Sequence, residues 1–348
     1  MIQPRTSFNQ AARLTARSPA KLIISGEHSV LYGQAAIAMA INRYTSTTTS
    51  WHDTPDIKFN MPDLAYAKAM TLKSLSSLSM QLQQDYSDFL EGKRNIRAVL
   101  KQPFELLQFS VSRIVDGMKD PLPQGVEIAV DSNIPIGCGM GSSASAIMST
   151  LCALTNFLEI NWHVADYLKF GMELENLQHG RSSGVDLHLV TYGGCVRFQD
   201  GQLQLRQAPT MPMYIVNTGQ PQTSTGECVT KVARSFANDP NLAKEFGMVT
   251  EVVDKALAAN AFNDFKLAIK ANHELLMHIA VVPEKVAVFI SDIEKHGGVA
   301  KICGAGAIVG DNAGIVLVVA DQDLQHIVTK HGYQLQTIEV DTSGTTII

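Results

Sequence analysis

Clustered charge of one sign is missing from this chain, and so are the cysteine patterns that build disulfide or zinc scaffolds. Its 348 residues hold 28 Lys and Arg against 33 Asp and Glu, a formal net charge of −5, with no Lys/Arg-rich run. Nucleic-acid binding draws on clustered phosphate-neutralising cations, so no nucleic-acid partner is expected. An anionic small molecule remains open, because a few backbone amides and one or two cations suffice for it. The cysteines, Cys138, Cys152, Cys195, Cys228 and Cys303, are odd in number and scattered without a C-x-x-C pair. That indicates neither a disulfide framework nor a zinc site, and it suits a reducing compartment. No apolar run reaches the ~18 residues needed to cross a bilayer; the longest candidates lie around Val30 to Ile41 and Gly314 to Ala320. A soluble, cytoplasmic protein with no membrane partner is expected. Internal repeats and low-complexity segments are absent too.

What is present is enough apolar sequence for a sizeable core. Hydrophobic residues make up 45% and charged residues 18%, which excludes an intrinsically disordered chain, and at ~150 residues per domain the length predicts two domains. Residues 1–26 carry Arg5, Arg13, Arg17 and Lys21 but no acid. Transit peptides share that bias, but a short frayed extension is the simpler reading.

Leu22 to Ser25 reads as a strand entering a turn at Gly26, Ala35 to Asn42 as an apolar segment, and Thr45 to Thr49 as a separate strand. Between Pro62 and Asp116, Leu64, Met70, Leu72, Leu75 and Leu78 recur at helical spacing until Pro103, after which Phe104, Leu107, Val111 and Ile114 begin a second amphipathic helix. Asp120-Pro121-Leu122-Pro123 is a stop, Val126 to Val130 a strand, and Ala146 to Phe157 and His163 to His179 are helical. Gln199-Asp200-Gly201-Gln202 marks a turn. Met213 to Val216 opens the predicted second domain, followed by helices near Thr223 to Phe236, Leu242 to Ala261 and Phe265 to His278. A glycine-rich loop, Gly297 to Gly314, precedes a buried strand, Ile315 to Val319.

The most distinctive stretch is Asn133-Ile134-Pro135-Ile136-Gly137-Cys138-Gly139-Met140-Gly141-Ser142-Ser143-Ala144-Ser145. Its three glycines let the backbone approach a ligand at positive φ, and the helix that follows offers unpaired amides with a partial positive charge. That combination is an anion cradle, and Ser142 and Ser143 add hydroxyls suited to magnesium or a phosphate oxygen. A glycine turn before a helix can also be plain tight packing. The stretch has neither the Gly-Lys-Ser/Thr ending of a Walker A loop nor the Rossmann spacing. His273-Glu274 with His278 is not a zinc motif, since a second histidine at i+5 lies ~140° round the helix at ~100° per residue. Met39, Met70, Met80 and the other methionines suit core filling.

This stretch resembles the ATP-binding motif of the GHMP kinases. Upstream, Ala20-Lys21-Leu22-Ile23-Ile24-Ser25-Gly26-Glu27-His28-Ser29-Val30-Leu31-Tyr32-Gly33 is similar to the first motif of that family's mevalonate kinase branch. Downstream, Ser183-Gly184-Val185-Asp186 and Tyr192-Gly193-Gly194 resemble the segment that carries the catalytic aspartate. The resemblance implies an α+β fold, with an N-terminal domain (1–210) like the second domain of ribosomal protein S5 and a ferredoxin-like C-terminal domain (211–348). It implies ATP and mevalonate as substrates, Mg²⁺ as cofactor, and a homodimer as the family-level expectation. Asp186 would be the base or orienter for the attacking hydroxyl, and Lys21 the cation beside it. The segment Pro135, Gly137, Gly139, Met140, Gly141, Ser142, Ser143, Ala144 and Ser145 would hold the nucleotide. Ser143 and Glu175 would hold the magnesium, and Glu27 and His28 would line the substrate pocket.

Taken singly, each residue has a plainer reading: Lys21 as a surface charge, Glu175 on a solvated helix face, His28 as a satisfied core histidine. Asp186 between Val185 and Leu187 is harder to dismiss, because an acid amid apolar residues needs a partner. Another GHMP kinase with a sugar or mevalonate-derivative acceptor, and a non-catalytic nucleotide-binding protein of the same fold, remain alternatives. Two departures stand out. Cys303-Gly304-Ala305-Gly306-Ala307-Ile308-Val309-Gly310 replaces a nearly unbroken glycine string, and Ser182 stands where the family often has Pro, a change expected to be minor. Thr223, Ser224 and Thr225 are equal candidates for a hydroxyl near the site.

Overall fold

The computed structural model describes residues 13–180, 182–239 and 241–348. Residues 1–12 of the extension read over 1–26 lie outside them; from Arg13 that reading is corrected, because the basic segment is already strand. β1 (Arg13–Ser25) and β2 (Ala36–His52) form a long antiparallel pair, with register shifts at Pro19/Ala20 and Ile23/Ser25. A proline has no N–H for the ladder, so Pro19 sits where the pairing is interrupted. The two predicted segments at Ala35–Asn42 and Thr45–Thr49 are therefore one strand. Its Thr47 and Thr49 are buried, and the Thr47 hydroxyl meets those of Ser149 and Thr150 at 2.9 and 3.1 Å.

The helix read from Pro62 onward is corrected at its start. β3 (Ile57–Met61) and β4 (Tyr66–Met70) form a hairpin, and only then does α1 (Leu72–Leu90) begin, capped by the Thr71 hydroxyl at the amide of Ser74. Leu64 and Met70 do pack into the core, but from a turn and a strand. α2 (Glu105–Asp116) and β5 (Gly125–Ser132) follow as expected. Next come α3 (Ser142–Phe157), α4 (Val164–His179), α5 (Val185–Tyr192) and the hairpin of β6 (Cys195–Gln199) with β7 (Gln202–Arg206).

The second half contains β8 (Met213–Asn217), α6 (Thr225–Asn238), α7 (Leu242–Ala258), α8 (Phe262–His278), α9 (Glu284–Lys295), β9 (Val299–Ile302), β10 (Ile315–Val319), α10 (Gln325–Lys330), β11 (Gln336–Thr337) and β12 (Thr346–Ile347). The predicted loop from Gly297 thus holds a strand, β9, paired with β10.

Two sheets result. The first runs β12-β1-β2-β5-β3-β4, with β6 sharing one edge of β2 with β5; the second runs β11-β8-β10-β9. Among the described residues every strand pairing is antiparallel except β3 with β5. One core lies between α1 to α5 and the first sheet, and a second joins β1 and β2 to the second sheet through α7 and α8. A third covers the far face of the second sheet with α6 and α9. Met39 is a core residue, whereas Met80 is 64% exposed. The five cysteines are free thiols. No helix among the described residues is long and apolar enough to cross a membrane.

Candidate active site

The glycine-rich loop between β5 and α3 takes the shape its composition predicts, with Gly137, Gly139 and Gly141 at φ of 73°, 81° and 69°. At Gly141 the need is steric as well, since a Cβ would stand 2.8 Å from Cγ of Lys21 and 3.5 Å from Oδ2 of Asp186. The first amide of α3 with an intrahelical partner is that of Ser145, bonded to the Gly141 carbonyl at 3.0 Å. The amides of Ser142, Ser143 and Ala144 are left over at the positive end of the helix. Three such donors at a helix N-terminus make the cradle suited to an anion.

Side chains divide this segment more finely than the motif does. Met140 and Ala144 are 1% and 0% exposed and face the core, so only their backbone is available to a ligand. Ser145 is also fully buried, and its hydroxyl donates to the Ser18 carbonyl at 2.7 Å. Its expected contact with nucleotide is corrected to a tie between α3 and β1. Ser142 and Ser143 remain partly exposed, Gly137 and Gly139 are exposed, and Pro135 is half-buried where the chain enters the loop.

Three elements deliver charged groups to this cradle. Lys21 comes from β1, its amide bonded to the Met140 carbonyl at 2.9 Å, and its ammonium lies 3.2 Å from Asp186 in the first turn of α5. The carboxylate keeps about a third of its surface exposed, at 32%, against 9% for the lysine. Glu175 points inward from α4 and is 2% exposed; burial, and then the field of Asp186, push its carboxyl up to about 7. The Ser182 hydroxyl donates to it. Sequence reasoning missed His179, exposed one turn beyond Glu175 and in the electrostatic neighbourhood of Asp186 and Lys21. Its i+4 spacing from Glu175 was a readable signal.

Beside Ser142 and Ser143 opens a cavity of about 110 Å³, walled by Leu64, Leu106 and Leu107 with Asp63 and Ser132 as polar groups. A mostly apolar slot with a few placed polar atoms suits a flat heterocyclic base.

Residues 108–194 match the model of the GHMP kinases N terminal domain. Mevalonate kinase from Thermococcus onnurineus is 28% identical over 304 residues, covering 84% of this chain and 86% of the relative. The crystal structure of the Methanococcus jannaschii mevalonate kinase superposes with a TM-score of 0.78 at 22% identity, covering 96% of this chain and 100% of that one. Lactococcus lactis galactokinase complexed with galactose follows at 0.72 and 15%, covering 97% and 96%. The fold is that of the GHMP kinases.

Within this GHMP kinase fold Glu27 departs from expectation. It forms an ion pair with Lys301 of β9, with side chains 1% and 0% exposed, so its carboxylate is turned away from solvent toward the second sheet. Its assignment to the substrate pocket is corrected to a buried bolt between the two sheets. His28 is 1% exposed, its Nε2 lies 3.2 Å from the Ala305 carbonyl, and burial lowers its ring to about 4. It too ties the first motif to the late glycine loop. Gly304 nonetheless approaches the cradle, since a Cβ there would lie 3.6 Å from Cα of Gly139. Ala307 instead turns away, its amide bonded to the Val281 carbonyl at 2.9 Å. Thr223 accepts the amides of Ile308 and Val309 at 3.2 and 3.3 Å, while Ser224 caps α6. Two of the three candidate hydroxyls therefore serve the backbone.

Proposed function

We propose that this chain is a mevalonate kinase, transferring the γ-phosphoryl group of ATP to the 5-hydroxyl of mevalonate. The observation that carries the reading is the convergence of Lys21 and Asp186, 3.2 Å apart, on Gly141 at the mouth of α3. An alcohol placed between that pair and the cradle faces an acceptor for its proton and donors for the transferring phosphate. Phosphoryl transfer asks a protein mainly for positioning and charge stabilisation. The hydroxyl oxygen attacks the γ-phosphorus and its proton passes to the Asp186 carboxylate. The bond from the γ-phosphorus to the bridging oxygen breaks, and ADP leaves with the electron pair. Lys21 offsets negative charge on the transferring group, the amides of Ser142, Ser143 and Ala144 hold phosphate oxygens, and the cavity beside them takes the base.

The oxygen donors at the cradle's edge fit a magnesium ion, which takes one or two protein ligands together with phosphate oxygens and water. Glu175 and Ser143 would hold it, and when bound it neutralises phosphate charge. The division of labour we propose gives residues 1–210 the nucleotide and the catalytic pair, and residues 211–348 the wall that closes the acceptor side. The names of the relatives support mevalonate as acceptor.

A coupled ADP-release assay across mevalonate, phosphomevalonate, galactose and homoserine tests the proposal. Turnover with mevalonate is expected. Turnover of galactose or homoserine without mevalonate assigns another GHMP acceptor, and ATP binding without turnover of any alcohol leaves a nucleotide-binding protein.

A further inference from the structure

We infer that Ser182 is a positioning residue, aiming the Glu175 carboxylate and locking it to the turn that presents Asp186. The inference rests on the reading of Glu175 as a metal ligand. Ser182 lies in the short connection between α4 and α5, and each of its polar groups has a distinct partner. Its N–H donates to Oδ1 of Asn176, the neighbour of Glu175 on α4, at 2.8 Å. Its hydroxyl oxygen accepts the Gly184 N–H at 3.1 Å, and the hydroxyl donates to Oε2 of Glu175.

The direction of that last bond is set by its surroundings. A backbone N–H can only donate, so the Gly184 contact occupies a lone pair and leaves the single hydroxyl proton for the carboxylate, which accepts when ionised. One serine therefore spans two helices: its backbone is fixed to α4, and its side chain joins a carboxylate of α4 to the N-cap of α5. Gly184 is that N-cap, at φ 75°, a left-handed conformation that favours glycine, and Asp186 follows two residues later. Oε2 is held, while Oε1 has no hydrogen bond among the described residues and is the oxygen left for a cation. A group that fixes one oxygen of a ligating carboxylate sets the direction of the other. Proline at this position has neither the N–H nor the hydroxyl, so the contact is particular to serine or threonine.

The test is a Mn²⁺ titration followed by electron paramagnetic resonance, in the presence of a non-hydrolysable ATP analogue. Wild type, Ser182→Ala, Ser182→Thr and Glu175→Ala are compared, with far-UV circular dichroism to establish folding. Ser182→Ala is expected to weaken Mn²⁺ binding roughly 10- to 100-fold, and Ser182→Thr to restore it. In turnover, the apparent KM for Mg²⁺ rises by a larger factor than kcat falls. Should the alanine variant not fold, Ser182→Cys, of similar size with a weak donor, carries the same comparison. Wild-type Mn²⁺ affinity in Ser182→Ala, alongside its loss in Glu175→Ala, overturns the role of Ser182 alone. Wild-type affinity in Glu175→Ala overturns the metal assignment, and the inference with it.

Discussion

Two lysine–carboxylate pairs draw one partner each from the first motif, Lys21 and Glu27, and are alike in chemistry and opposite in setting. Lys21 and Asp186 meet at 3.2 Å with the carboxylate 32% exposed, whereas Lys301 and Glu27 meet with 0% and 1% exposure. The first pair can receive an alcohol and pass on a proton. The second has exchanged water for a mutual contact and joins the two sheets, and Oε2 of Glu27 is left without a hydrogen bond among the described residues. A motif residue's charge does not reveal its role. Access of solvent, and hence of substrate, decides it.

The sharpest way to break this comparison is to neutralise each pair in turn. Asp186→Asn should lower kcat by ~10²- to 10⁴-fold, the range for loss of a positioned proton acceptor, with little change in the urea unfolding midpoint; near-normal turnover sinks the mechanism. Lys301→Met should act first on stability, costing ~3–5 kcal/mol in urea unfolding because Glu27 is left as an unpaired buried charge. Adding Glu27→Met should recover most of that loss, and failure to recover would mean that the pair acts through more than its own charges.

A pH titration of stability probes the surroundings of the buried pair. His28 and His273 both lie in the field of Lys301, and burial lowers each ring to about 4. Between pH 6.5 and about 4 the unfolded chain takes up protons that the native chain refuses. The stability these two rings contribute is therefore full above 6.5 and falls as pH drops through that window, by up to ~3 kcal/mol per ring at about 1.4 kcal/mol per pH unit. Glu175, raised to about 7, acts in the opposite sense over the same range. Thermal melts from pH 7.5 to 4.5 in a Glu175→Gln background test this, and a flat midpoint there contradicts it. The smallest expected effect belongs to Thr223→Val, which strands the amides of Ile308 and Val309 and should cost about 1 kcal/mol. Guanidinium unfolding would register it, with kcat unchanged if that hydroxyl serves only the loop.

Much of the site was legible because it is written in residues with few alternative uses. The glycines at 137, 139 and 141 mark a backbone held at positive φ, which other residues rarely adopt, and Asp186 stood out as an acid amid apolar neighbours. Lys301 was invisible for the converse reason. A lysine in Val-Ala-Lys-Ile reads as the solvated side of a strand, and its partner lies 274 residues away. The cavity beside α3 was equally hidden, since separate elements each contribute a wall residue of ordinary type. In the fold, the long helices were read well from local periodicity. The β3–β4 hairpin was not, because Leu64, Met70 and Leu72 keep helical spacing while a nonlocal partner, β5, holds the strands. Ser182 looked minor as a substitution and became informative only when its three partners were in view.

The strand β12 pairs with β1 through Ala16 and Arg17, and Thr345 beside it bonds the Ser18 hydroxyl and the Val190 carbonyl within α5. A ribosome delivers β1 before the second sheet and β12 only after all of that sheet's strands. The edge of the first sheet therefore stays open during synthesis, exposing ladder groups that other chains can capture. Closing that edge, and steadying the helix that carries Asp186, is a late event in the life of each molecule.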